Sequence, residues 1–539
     1  MMRRATCLIL LAPLCFVSRL HGQAVAPMKK LGTVHFATSC SPAAQPIFNR
    51  AVALLHSFEF GSAIESFNST LKADPNCGMA YWGLALSAWS NPFAPGIRTA
   101  KQIATGVDAV QHAKAATKMS RREKMYVGAL AYLYEDADAI DQHTRQTVYR
   151  DVMRALTMEY PDDIEASIFY ALALAQSADP ADKTYASQLA AGQLLEKLAL
   201  KYPNHPGIAH YIIHAYDFPP LASHALHAAG TYSMIAPSAP HALHMPSHTF
   251  TRVGYWQESI DANRKSKAAA ATAHQGAEEL HAGDYMMYAY LQTGQDRAAR
   301  ELLANIPSMV ARFDPTKPAG AAPPSAGYFA MAAMPARYAL ERGAWSDAAH
   351  LTVNKTQFAF ADAITHFARA IGAARTGDTV TARSAITELE RLRDALAPTE
   401  KYWAEQTEIQ IRGASAWLAF AEGRKDQALS TMREAVARED ATEKSALTPG
   451  PIAPARELLG EMLLELNQPG EALKDFEQTL TIEPRRFRSV AGAAKAAMAA
   501  GDSATAKKYY ARLIEIAARG DKPGRAELIT ARNFAGRSR

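Results

Sequence analysis

The sequence predicts an all-α fold, a right-handed α-α solenoid of roughly eight to ten stacked helix pairs, on three observations. Nearly every segment of about a dozen residues carries apolar side chains at helical spacing, and strand-like alternation is scarce. The breaks between segments are short and rich in Gly, Asp, Asn and Pro. The chain has 539 residues, more than one compact core organises, and one small–aromatic–proline spacing returns along it.

Taken in order, residues 1–24 read as a secretory signal outside the fold. Arg3 and Arg4 give a basic start, Ala5 to Val17 is apolar but short for a bilayer span, and Gly22-Gln23-Ala24 is a small-x-small cleavage site. Export to a periplasm or the medium is therefore expected, with no integral membrane span, because no later segment is long and apolar enough. The formal charge of +5 falls to +2 once the three arginines of that segment are removed. No long basic run remains, so a nucleic-acid partner is not indicated. A content of 48% hydrophobic and 21% charged residues excludes global disorder. Cys7 and Cys15 leave with the signal. Cys40 and Cys77 remain, an even pair in an oxidising compartment, and a disulfide from the segment 25–44 to the first repeat is expected.

The repeats occupy 45–305 and 328–518. Ala63, Phe67 and Pro75 open the series. Degraded or looser copies follow at Ala225, Ala229 and Pro237, at Gly294 into Ala298, Gly377 into Ala382, Gly423 into Ala428, and Gly501 into Ala506. The clearest copy has Leu459-Gly460 on one helix, a turn at Asn467 to Gly470, then Ala472, Phe476 and Pro484. Alanine, an aromatic four residues on and a proline eight further is the second-helix pattern of the tetratricopeptide repeat: small residues let helices approach, the aromatic fills the groove, proline ends the pair. Residues 306–327, with Pro307, Pro315, Pro318, Pro323 and Pro324, read as an irregular linker between two halves, and 519–539 as a polar, frayed tail.

Ten of the 17 histidines fall between His205 and His281. His210, His214 and Asp217 are spaced four and three, so they share one helix face; His241, His244 and His248 are spaced three and four, and so are His281, Asp284 and Tyr288. Counting each set from its own turn or terminal proline places all nine on the groove side of three adjacent repeats. Pro246 leaves the start of the middle set uncertain in register. His205, His224, His227 and His274 fall off this stripe and are assigned to surface or packing.

Two imidazoles one turn apart chelate a transition ion, and a carboxylate orients an imidazole or ligates directly. His210, His214, His241, His244, His248, His281 and Asp284 are therefore the metal candidates, with zinc or copper as the ion. Asp217, Tyr288, Arg252 and His56 are candidates for holding a ligand, and a protein or peptide is the expected occupant of the concave groove. No catalytic residue is assigned. His210 to His214 has the zinc-protease spacing without its glutamate, no nucleophile elbow or P-loop is present, and an open groove without a lid excludes water poorly. Two other readings stay open, a metal-free interaction scaffold and a metal-dependent hydrolase.

The chain also resembles a group of bacterial tetratricopeptide-repeat proteins, mostly without assigned function. The words that carry the resemblance are Ala53 to Phe58, Met79 to Gly83, Ala209 to Asp217, His241 to His248, and Thr448 to Pro451 with Pro454 to Gly460. They span nearly the whole chain after the signal. The resemblance implies the helical-repeat fold and no settled activity.

Overall fold

Helices start and stop where the punctuation of the sequence directs. Proline opens the helices Pro206–Ala215, Pro240–His244, Pro246–Val253, Pro324–Leu340 and Pro469–Ile482, where its missing N–H costs nothing. Thr99 with Gln102 and Ser120 with Glu123 form reciprocal capping boxes. Gly254, at φ +73°, ends Pro246–Val253 in a conformation other residues rarely adopt. The computed structural model describes residues 29–94, 96–316 and 320–537. The expected signal at 1–24, with Cys7 and Cys15, lies outside them, as does Pro318.

Every regular element among the described residues is helical, and consecutive helices pack as pairs into a tetratricopeptide-like solenoid. The described residues hold twelve such pairs, from Gln45–His56 with Phe60–Ala73 to Phe487–Ala499 with Ser503–Ile516, more than the eight to ten expected. The repeat spacing works as read. A Cβ on Gly83 would overlap the Phe67 ring, and one on Gly460 or Gly492 would overlap Phe476. The aromatic thus needs bare backbone on the helices beside it, within its own pair at Gly460 and on the next pair at Gly83 and Gly492. Among the described residues no helix is long and apolar enough to cross a membrane. Cys40 and Cys77 are joined in a disulfide that ties the N-terminal segment to the start of the helix Gly78–Trp89, at the head of the second pair.

Two expectations about segments are revised. The stretch 306–327 contains the short helix Ile306–Val310 and the first turn of Pro324–Leu340. The tail 519–539 contains the helix Ala526–Arg537, docked through buried Leu528 and Ala531 and tied back by Arg525 on Asp296. It covers the apolar end of the last pair.

The buried apolar side chains divide at a place no linker marks. One cluster runs from Leu31 to Met245 with Ala321 added, and the other begins at Trp256. The seam falls between Met245 and Trp256. Buried polar side chains occupy it, among them Ser247, His248, Thr251 and Arg252.

Candidate metal centre

Helix Pro206–Ala215 carries His210 and His214 one turn apart, and both are buried. His241 and His244 lie on Pro240–His244, His248 on Pro246–Val253, and His281 on Gly276–Gln292. The proline at 246 makes a joint rather than an end. Met245 keeps helical torsions, so His244 and His248 still share a face and their rings are 5.0 Å apart. All six imidazoles are at most 5% exposed.

They converge in two triads. Ligand atoms of His210, His214 and His241 lie within 4.8 Å of one another, and those of His244, His248 and His281 do the same. In the first triad the far nitrogens are held: His210 Nδ1 donates to the backbone carbonyl of His56 at 2.6 Å, and His241 Nδ1 donates to Glu278 Oε1 at 3.0 Å. That fixes both Nε2 atoms as bare lone pairs. Neither they nor His214 Nε2 have a hydrogen-bond partner among the described residues. In the second triad His244 Nδ1 donates to Asn263 Oδ1 at 2.6 Å and His248 Nδ1 to Asp217 Oδ2 at 2.9 Å. Their Nε2 atoms face each other at 3.0 Å, and His281 Nδ1 has no partner among the described residues. Four of the six rings, those of His210, His241, His244 and His248, are thus held at Nδ1 with Nε2 turned inward, an arrangement that orients imidazoles for a transition ion.

Burial first, and neighbouring imidazoles second, hold His210, His214, His241 and His281 well below the ordinary imidazole value and bring His244 down to about 3. Burial lowers His248 too, against the pull of Asp217. Neutral imidazole is the ligating form.

Aromatic rings wall the cluster. Phe58 lies 4.4 Å from His210, Phe93 stacks on His214 at 4.2 Å, Tyr232 stacks on His210 at 5.2 Å, and Tyr285 sits 4.8 Å from His244. A small cavity of about 20 Å³ lies between the triads, bounded by His214, His241, His248 and His281 and by Ala322 and Leu447.

The open, lidless groove expected from the sequence is corrected here. Segment 442–454 folds back across the histidines and places Ala446 and Leu447 over the cavity. Its prolines stiffen it. Arg337 holds it from below, donating to Thr448 Oγ1 at 2.8 Å, Gly450 O at 2.9 Å and Pro451 O at 2.8 Å. Tyr285 donates to Thr448 O at 3.2 Å.

Two residues of the expected stripe lie elsewhere. Asp284, a metal candidate, is in neither triad: Arg337 Nε donates to its Oδ1 at 2.9 Å. Tyr288 donates to Glu483 Oε2 at 2.9 Å and accepts from Arg486 at 3.0 Å. The helix explains this, since seven residues past His281 is about 10 Å along the axis, at the level of the C-terminal repeats. Asp217 does reach the cluster, bridging His248 to Arg252 at 2.9 Å and Lys444 at 3.3 Å. Burial works against its ionisation, yet the two cations hold it well below the usual carboxylate range. Arg252 also borders a cavity of about 360 Å³ in the groove, walled by Phe360 and Trp403 stacked at 4.3 Å.

His56 is buried behind the first triad, its Nε2 on Glu165 at 2.9 Å and its Nδ1 on the Tyr211 hydroxyl at 3.0 Å. His205 is buried and shares Glu165 at 3.0 Å, and ligand atoms of His56, Glu165 and His205 lie within 4.8 Å of one another, a third group beside the two triads. His224, His227 and His274 are exposed, as expected. Sequence reasoning missed Asn263, Glu278, Glu165 and Lys444, the orienting partners. Glu278 lies three residues before His281 on the same helix, a spacing that signals a shared face, whereas Glu165 is 109 residues from His56 and Lys444 is 227 from Asp217, and no spacing announces those.

No protein-family model matches the chain, and no curated protein matches it. Among solved structures, an APC/C hetero-tetramer of Cut9 and Hcn1 aligns over 92% of this chain and 76% of its own at 11% identity, with a TM-score of 0.39. A human IFIT1 dimer with m7Gppp-AAAA aligns over 88% and 94%, at 11% identity and a TM-score of 0.39. A human IFIT1 dimer with PPP-AAAA aligns over 87% and 89%, at 11% identity and a TM-score of 0.36. Likenesses this low carry no argument about what the chain binds.

Proposed function

We propose that this is an exported binding protein whose solenoid holds transition-metal ions inside histidine triads and takes a ligand or partner in the groove above them. One observation carries the metal reading. Three buried Nε2 atoms, on His210, His214 and His241, point together with no hydrogen-bond partner among the described residues. An unsatisfied buried polar atom costs about 1–3 kcal/mol, and three sharing one point share one missing partner. A bound cation supplies it. The residues that hold it are the six histidines, with Asp217, Glu278 and Asn263 orienting rings. Export is supported by the basic–apolar–small pattern of 1–24 and by the disulfide.

Metal content of untagged protein tests the reading. At least one equivalent of a transition metal is expected, lost in His210→Ala with His244→Ala while helicity is unchanged. Purified wild-type protein that neither contains nor takes up such an ion refutes it. The groove cavity beside Trp403 favours a second reading, a metal-free scaffold, which predicts a protein partner that stays bound after chelation. Turnover abolished by chelation and restored by metal would instead mark a hydrolase.

A further inference from the structure

We propose, resting on the metal reading above, that the two triads form a single dinuclear copper centre and that dioxygen is the ligand bridging it.

The triads are one unit by distance. His214 and His248, in different triads, have rings 6.1 Å apart, and His241 and His244 are at 5.9 Å. Within single triads His214 and His241 stand at 6.4 Å, as do His248 and His281. The triads are also alike in construction. Each takes two imidazoles one turn apart and a third from a following helix. Positions 210 and 244, and 214 and 248, differ by 34, the length of one tetratricopeptide repeat. Adjacent copies of the repeat therefore carry matching chelating pairs, and the second member of each, His214 and His248, lines the shared cavity.

The ligand set selects the metal. Six imidazoles are offered and no carboxylate joins either triad. Glu278 is turned to His241 Nδ1 and to the Ala322 N–H, and Asp217 to His248 Nδ1, Arg252 and Lys444. Nothing anionic faces the cavity to offset metal charge. The cost of burying an ion grows steeply with its charge, so two monovalent ions are favoured over two divalent ones. Imidazole suits copper, and copper is the metal of that ligand class with an accessible monovalent state.

The cavity between the triads selects the ligand. At about 20 Å³ it admits something of the size of a water or a diatomic molecule, against walls that include Ala321, Ala326 and Leu447. Dioxygen is apolar enough to enter and small enough to fit. Each cuprous ion gives one electron, so two cupric ions and a bridging peroxide result. The O–O bond persists at single order and no proton moves. The total charge of the unit is +2 before and after, so the bridge supplies the negative charge that the protein withholds.

The test uses untagged full-length protein loaded anaerobically with cuprous ion. Two copper per chain are expected. Admission of dioxygen should produce a charge-transfer absorption without an electron paramagnetic resonance signal, reversed by removing oxygen. His281→Ala should bind one copper, lose the band and become paramagnetic on oxidation. These readouts on the wild-type chain stand even if that variant fails to fold. Two bound copper ions with independent paramagnetic signals and no oxygen-dependent band overturn the dinuclear proposal and leave the metal reading intact. Zinc retained in place of copper under competition also overturns it. Failure to bind any transition ion removes both.

Discussion

His244 Nε2 lies 3.0 Å from His248 Nε2, although each ring already donates its proton on the far side, to Asn263 Oδ1 and Asp217 Oδ2. Two lone pairs facing one another at that distance repel unless a shared proton or a metal cation lies between them. The Asn263 amide is itself fixed by its Nδ2 donating to Ser259 O at 2.8 Å. Asn263→Leu removes the acceptor that sets the His244 tautomer. Metal affinity of the second triad should fall about 10–100-fold, read by competition with a chromophoric chelator. An unchanged affinity would contradict the tautomer assignment.

Glu278 plays the matching part for the first triad through His241 Nδ1. Glu278→Gln should weaken only one of the two binding events in a metal titration, by roughly tenfold, with the other preserved. Loss of both at once would mean that the carboxylate supports the fold rather than one ring.

Asp284 belongs to Arg337, both fully buried, and not to the triads. Asp284→Asn should leave the metal content of the folded protein unchanged. Arg337→Met, which also frees the Thr448–Pro451 segment, should cost about 3–5 kcal/mol by leaving a buried carboxylate alone. Replacing both partners by apolar residues should recover much of that loss in denaturant melts.

Acid should unfold the metal-free chain. The six imidazoles are held below their ordinary value of 6.5 in the folded state, by burial first. Below about pH 6.5 the unfolded chain therefore binds more protons, and stability falls as pH falls, by up to about 1.4 kcal/mol per group per pH unit. Chemical denaturation of chelator-treated protein at pH 7.5, 6 and 5 checks this. Flat stability across that window would mean the imidazoles titrate normally.

The Cys40–Cys77 bond closes a sequence separation of 37 residues. Replacing both cysteines by serine should lower stability by about 2–4 kcal/mol, and reductant should do the same to the wild-type chain. No change in the melting midpoint would show that residues 29–44 are held by packing alone.

Much of the repeat grammar could be read in advance. Ala472, Phe476 and Pro484 announce a helix pair because the groove accepts one shape, and Gly460 and Gly492 lie against that ring. The convergence of His210, His214, His241, His244, His248 and His281 was also legible, since helical period places side chains three and four apart on one face. The period persists through Pro246 because Met245 stays helical.

Sequence periodicity determined which face each histidine occupies, and that is a local property of backbone geometry. Whether that face is open or enclosed is decided by chain far away in sequence. The fold alone brought Ala446 and Leu447 over the imidazoles, gave Asp284 to Arg337, and set Tyr288 among Glu483 and Arg486. Phase along a helix repeats every few residues and is written in spacing, whereas burial depends on what packs against the helix from outside it.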